Sequence, residues 1–216
     1  MNKTRIEWCD YTINPVKGLC PMACSYCYAR RMYKRFKWNP SIRYDPSVFI
    51  DLPNRPSRIF VGSTMELFGE WNYWMDEIIS LCQRNSEHTF IFLTKQPQNL
   101  IKWSPFPENC RVGATVTDRY SYERALKGLS YVDAKVRFLS FEPLLGYVAP
   151  LGRDFDIFHW VVIGQQTPVK KATMPKIEWI REIVDACDKA KIPVFQKNNL
   201  FPSLIGYGEL RQEFPR

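Results

Sequence analysis

Short runs of β-branched and aromatic residues recur along the chain, each followed by a polar turn and often by helical spacing. They cover 58–62, 90–94, 111–116, 136–141, 160–164 and 192–196, and each has the length and composition of a buried strand. Helical patterns fill several of the intervals. They run over 74–84, with Ile78, Ile79 and Cys82 at apolar positions, over 120–129 behind Asp118 as N-cap, and over 177–190 behind Pro175. Parallel neighbours need a crossover that an α-helix usually supplies, so this alternation predicts parallel βα units and an α/β fold class. With a further short strand within 11–16 there are six or seven units, short of the eight that close a full barrel. No internal repeat or low-complexity tract divides the chain, and 53–56 reads as a loop, so one domain over 1–216 is expected.

In parallel barrels the site gathers at the C-terminal ends of the strands. Those ends are more polar here than packing requires. They carry Ser63, Thr64 and Glu66, then Thr94 and Lys95, then Thr115, Thr117 and Asp118, then Ser140 and Glu142, then Gln165 and Gln166, and lastly Gln196, Lys197 and Asn198. Any single one can serve the backbone, as Asp118 would as a helix cap or Glu66 as a surface carboxylate. Their recurrence on consecutive strands points to one face equipped for a polar ligand.

Cys20, Cys24 and Cys27 stand at x3 then x2 spacing, with Tyr26 just before the last. An electron-transfer iron–sulfur cluster takes four cysteines, so a compact set of three leaves one iron open, as catalytic metal sites do. The competing reading is structural zinc with a fourth ligand from Cys9, Cys82, Cys110 or Cys187, or a half-site for dimerisation. Such zinc sites usually come as two CxxC-like pairs, and there is no second pair. Seven cysteines, an odd number behind a basic, polar N-terminus without a signal peptide, argue against a secreted disulfide scaffold and for a reducing cytoplasm.

No apolar stretch approaches the roughly 20 residues of a membrane span. The net charge of +8 and pI near 9.1 suit a polyanionic partner such as nucleic acid. The densest basic run, 30–38, interleaves cations with aromatics. It could grip phosphates and stack bases. As an ordinary first helix it would instead turn Met32 and Phe36 to the core and leave its cations solvated.

The triplet with its aromatic resembles the signature of the radical S-adenosylmethionine (radical SAM) superfamily. That resemblance implies a partial (βα)6 TIM-type barrel whose edge a seventh strand would extend. It also implies a [4Fe-4S] cluster on Cys20, Cys24 and Cys27, with the open iron chelating S-adenosyl-L-methionine. An electron from the cluster cleaves the sulfonium to a 5′-deoxyadenosyl radical, which takes a hydrogen atom from substrate. Tyr26 would then sit near the adenine, with Ser63, Glu66, Thr115, Ser140 and Gln165 supplying further cofactor contacts. Lys95, Glu142 and Lys197 would line the substrate side. A flavodoxin or ferredoxin would be the reductant.

The resemblance extends beyond the cysteines. Ile6-Glu7-Trp8, Asn14-Pro15-Val16, Gly18, Phe60-Val61, Leu67-Phe68, 93–97, 113–116 and 139–146 occur in order, and over 5–199 they look like a phage- and prophage-associated radical SAM family long carried as a domain of unknown function. The chain departs from it at 164–168, where Gln166 replaces a common carboxylate, and at 198–200. Both departures hint at a changed substrate. The family implies tailoring of a hypermodified thymine in phage DNA, such as isomerisation of a glycinyl-thymidine, in the cytoplasm of an infected or lysogenic bacterial host. Abstraction from the glycine α-carbon would give a captodatively stabilised radical. A base in duplex would have to be flipped out to reach the barrel mouth. The alternatives are the same chemistry on a peptide or small metabolite, and a non-catalytic zinc-containing nucleic-acid-binding protein.

Overall fold

The computed structural model describes residues 2–148, 153–201 and 209–215. In chain order the strands are β1 (Asn2–Lys3), β2 (Tyr11–Ile13), β3 (Val16–Lys17), β4 (Arg43–Tyr44), β5 (Arg58–Val61), β6 (Thr89–Thr94), β7 (Cys110–Thr115), β8 (Val136–Phe141), β9 (Trp160–Ile163) and β10 (Val194–Gln196). Seven of them, β2 and β5 to β10, are parallel and lie side by side in sequence order, with β1 antiparallel on the β2 edge. The result is an α/β half-barrel with the seventh strand in place. Strands β3 and β4 pair separately as a small hairpin.

The helices are α1 (Tyr28–Phe36), α2 (Met75–Arg84), α3 (Arg119–Leu129) and α4 (Ile177–Ala190). Local chemistry sets their ends. Asp118 and Ser121 form a capping box at the start of α3, and α2 places Asp76 and Glu77 in its first turn and Arg84 in its last, as the helix dipole favours. Two crossovers depart from the simple strand–helix alternation. The β6 to β7 connection is a 3₁₀ segment, Pro97–Trp103, held short by the extended Ser104 before Pro105. The β8 to β9 connection carries the 3₁₀ turn Arg153–Ile157.

Strand alternation sorts the side chains into two cores. One lies between sheet and helices and joins Ile59, Val61, Phe90, Phe92, Val112, Leu139 and Val161 to helical residues such as Ile78, Ala125 and Ile183. The other contains no helical residue and fills the inner face of the half-barrel with Phe60, Ile91, Phe138, Trp160, Val162 and Phe195, plugged by Trp8. Trp8 meets Phe60 with ring centroids at 4.8 Å and Trp160 edge-on at 6.2 Å. The outer edge of β10 is covered by the segment 209–215, through Gln196 N–H to Arg211 O at 2.7 Å and Glu213 N–H to Val194 O at 2.9 Å. Phe214 of that segment packs on Trp160 and Phe195, and the Arg58 guanidinium lies 4.0 Å from its ring.

The parallel run ends at β2 and β10, which do not pair with each other among the described residues, and this leaves a seam. Glu7 crosses it, accepting from Asn198 N–H at 3.1 Å and pairing with Lys197 at 3.8 Å. Arg31 of α1 crosses it again, donating to Thr167 O at 2.6 Å. No helix among the described residues is long and apolar enough to cross a membrane.

The outer face of α1 corrects one expectation. Ala29 is its buried residue, whereas Phe36 is 51% exposed. Ala29 and Phe36 lie two turns apart on one face of the helix, whose start is capped by the Cys27 thiol accepting from Arg30 N–H, and the protein covers that face at its first turn but not at its last.

Candidate active site

After β2 the chain turns at Gly18, whose φ of 125° and 2.7 Å approach to the Ile42 backbone leave no room for a Cβ. The Gly18 N–H donates to Tyr33 OH at 2.8 Å, anchoring the cysteine loop to α1. Cys20, Cys24 and Cys27 line one small concavity with Thr64, Ala29 and Tyr33. Backbone amides already point at two of the sulfurs. Glu66 N–H reaches Cys20 Sγ at 3.4 Å and Arg30 N–H reaches Cys27 Sγ at 3.4 Å. Burial pushes the Cys20 thiol up, with the Glu66 amide opposing. The Cys27 thiol caps α1, whose first turn carries no acidic residue.

Among the described residues no three His, Cys, Asp or Glu groups converge as a single metal ion requires. A free, half-buried triplet with amide donors on its sulfurs fits a cluster.

Beyond the apolar floor the inner face becomes polar. Thr115 and Ser140 are direct neighbours in register, two residues beyond Gly113 and Phe138. Lys95, two beyond Leu93, donates to Thr115 Oγ1 at 3.3 Å and holds its ammonium 5.9 Å from the Tyr26 ring. The structure therefore brings Tyr26, Lys95, Thr115 and Ser140 together at one side of the mouth. Ser140 Oγ is fully buried and has no partner, and so has Gln165 Oε1. Both are orphaned polar atoms of a kind that folded proteins rarely leave without a role.

Lys197 and Glu142 meet at the other side. They form a close ion pair, with Glu7 also near the ammonium at 3.8 Å, and the Lys197 side chain is 11% exposed. Gly164 makes the meeting possible, because a Cβ there would come within 3.0 Å of Lys197 and 3.2 Å of Glu142. Burial alone would lower the Lys197 pKa, but the charge and hydrogen bond of Glu142, followed by Glu7, outweigh it and raise it.

Glu66 and Ser63 are held by the protein itself. The buried Glu66 carboxylate accepts from Phe68 N–H at 3.0 Å, Thr94 Oγ1 at 2.6 Å and Lys95 N–H at 2.8 Å, while its own amide serves Cys20. It thus locks the cysteine loop to the end of β6. Glu66→Gln replaces one acceptor by a donor facing N–H groups. It should lower stability by about 1–3 kcal/mol in urea denaturation, and an unchanged midpoint would remove that locking role. Ser63 donates to Asn14 Oδ1 at 3.3 Å, which also takes Thr64 N–H and Oγ1 at 3.1 and 3.0 Å.

Asn14, Glu7 and Asn199 are the site residues that sequence reasoning missed. Asn199 donates to Gln165 O at 2.8 Å and takes the Gln165 side-chain amide on its own carbonyl. The Asn-Pro step after β2 was a signal for a turn-forming side chain at Asn14. Glu7 and Asn199 fell only within the resembling block at 6–8 and the departing one at 198–200, and nothing local gave either a partner.

Two solved structures share the fold. Spore photoproduct lyase complexed with dinucleoside spore photoproduct aligns with a TM-score of 0.53 at 14% identity, covering 87% of this chain and 63% of that one. A double mutant of spore photoproduct lyase with bound AdoMet and dinucleoside spore photoproduct aligns with a TM-score of 0.53 at 15% identity, covering 79% and 60%. The chain thus spans less than two thirds of the length of either protein. No curated protein matches the sequence. A family profile does match, over residues 3–200, and with nearly its whole length inside that profile the chain belongs to the family described as "Protein of unknown function (DUF5131)".

Proposed function

We propose that this chain is a radical SAM enzyme that modifies a nucleobase in DNA. The observation that carries the reading is the placement of three free thiols on one loop at the mouth of a half-barrel whose inner strand ends are polar. When bound there, a [4Fe-4S] cluster with S-adenosylmethionine supplies a 5′-deoxyadenosyl radical that takes hydrogen from a substrate carbon. Cys20, Cys24 and Cys27 would hold the cluster, and the amides of Glu66 and Arg30 would lend it hydrogen bonds, which tune such sites. The unpartnered oxygens of Ser140 and Gln165 would meet polar groups of the cofactor, helped by Thr115 and Ser63. The Tyr26 ring offers its face to the adenine.

Lys197 keeps its proton between Glu142 and Glu7 and so presents a fixed charge to a substrate group of opposite sign. Lys95 stands across the mouth, held by Thr115 and the face of Tyr26. The apolar floor of Phe138, Trp160 and Val162 excludes water from beneath the reacting carbon. A DNA substrate is supported by the net charge of +8 and by the dinucleoside that both fold neighbours carry. Within that class we favour a hypermodified phage thymine such as glycinyl-thymidine, whose amino-acid-like arm matches the paired charges of Lys197 and Glu142.

Anaerobically reconstituted protein should bind iron and sulfide and, once reduced, convert S-adenosylmethionine to 5′-deoxyadenosine. Zinc without iron after anaerobic purification overturns the reading. Incubation with oligonucleotides bearing modified thymines, digested to nucleosides for mass spectrometry, tests the substrate. No mass change on any base removes DNA.

A further inference from the structure

The segment from residue 11 to residue 44 holds seven lysines and arginines and no acid. Most of these cations sit on or just after α1. Among the described residues none of Arg30, Arg31, Lys34, Arg35 or Lys37 pairs with a carboxylate. A solvated helix face usually mixes both signs, so this one is left strongly positive.

Aromatic rings cluster at the C-terminal end of the same helix. Trp38 stacks on Phe36 with centroids 5.5 Å apart and planes at 23°, Tyr33 meets Trp38 edge-on at 5.3 Å, and the Arg35 guanidinium lies 5.3 Å from Phe36. The contact of Trp38 with Tyr33 is explained by the end of the helix, where Lys37 takes a left-handed φ of 51° and the Trp38 amide turns back to Tyr33 O at 3.2 Å. Phe36, in the last turn, stays open to solvent beside Trp38 and Arg35. Phe36 and Trp38 remain 51% and 43% exposed, a costly way to place two large rings unless something covers them.

We infer that Arg35, Phe36, Lys37 and Trp38 form a platform for unpaired nucleotides that flank the base presented to the mouth, an inference that rests on DNA being the substrate. Its position fits. α1 begins at the cysteine loop and borders the seam that Arg31 crosses to Thr167, so a strand leaving the mouth through the seam runs along this helix. From Cys27 to Phe36 the helix rises about 13 Å, or roughly four steps of about 3.4 Å along a stacked strand. Cations would neutralise phosphates while the rings extend the base stack, the combination that single-strand binders use. Stacking needs open base faces, which a duplex does not offer.

The test measures fluorescence anisotropy of labelled oligothymidylate, single-stranded and in duplex, with the full chain without cluster at several salt concentrations. Phe36→Ala with Trp38→Ala should weaken single-strand binding roughly five- to hundredfold, and Trp38→Tyr should retain it. Lys34→Gln, Arg35→Gln and Lys37→Gln together should flatten the slope of log affinity against log salt by about 2. Thermal melts verify that each variant folds.

Wild-type affinity in both sets, or a preference for the duplex, overturns the platform. So does unaltered oligonucleotide binding combined with lost turnover on an acidic flavodoxin-type donor but not on a chemical reductant, because the face then serves a protein. Failure of the enzymatic reading shows separately, as wild-type protein that makes no 5′-deoxyadenosine while the anisotropy results stand.

Discussion

Alanine at Cys20, Cys24 or Cys27 should each abolish cluster assembly and lower 5′-deoxyadenosine formation by at least about a thousandfold, beyond the roughly 10–100-fold that outer partners of a metal site cost. Alanine at Cys9, Cys82, Cys110 or Cys187 should leave both intact. The contrast follows from environment. The triplet is half-buried on a loop, with amides aimed at Cys20 and Cys27. The other four are buried in apolar cores, where burial pushes the Cys9 and Cys187 thiols up to about 12 and Cys82 well above its ordinary value. Burial raises the Cys20 thiol too, but there the Glu66 amide opposes it, whereas a thiol that resists ionisation inside an apolar core is a poor metal ligand. Iron and sulfide content, the visible absorbance of the reconstituted protein and chromatographic quantitation of 5′-deoxyadenosine check the series. Loss of metal on replacing Cys9 or another buried cysteine would instead identify a fourth protein ligand, and the open-iron reading would fail.

The parallel sheet was legible because β5 to β9 are apolar runs bounded by turn residues, and helices α2 to α4 because their apolar spacing matches their buried faces. β2 was harder to see. It is only Tyr11–Ile13, between the polar Asp10 and Asn14, and its strand character comes from pairing with β5 rather than from composition. The exposure of Phe36 was hidden for a related reason. Spacing puts Met32 and Phe36 on one face with the buried Ala29, but how far along that face the protein covers a nine-residue helix is set by tertiary packing.

The site divides along the same line. Thr115, Ser140, Lys95, Glu142 and Lys197 could be picked out because each is a polar residue at the end of an apolar run. Glu7 could not, since its bond to Asn198 spans 191 positions and no local pattern announces a contact across the seam. Glu66 was visible as a polar residue, yet whether it meets a ligand or three protein donors depends on how the loops after β5 and β6 fold together.

The contact across the seam also sets the second large effect. Lys197→Met should destabilise the fold by about 3 kcal/mol, because it strips the cation from a largely buried carboxylate cluster and leaves Glu142 and Glu7 facing each other uncompensated. Adding Glu142→Leu should restore most of the loss, since an apolar pair of similar volume carries no desolvation penalty. The pH dependence has a definite sign. Lys197 is raised above its ordinary 10.5, with the pull of Glu142 and Glu7 exceeding the opposing effect of burial. A lysine raised on folding contributes stability that is fully present below its unfolded value and is lost as pH rises through the folded value. The gap between wild type and Lys197→Met should therefore stay constant from neutral pH up to roughly 10.5 and shrink only above it. Urea denaturation followed by tryptophan fluorescence across that range measures the gap directly. A single variant as stable as wild type, or a gap that already closes near neutral pH, would show that Glu142 and Glu7 do not depend on Lys197 for their place in the seam.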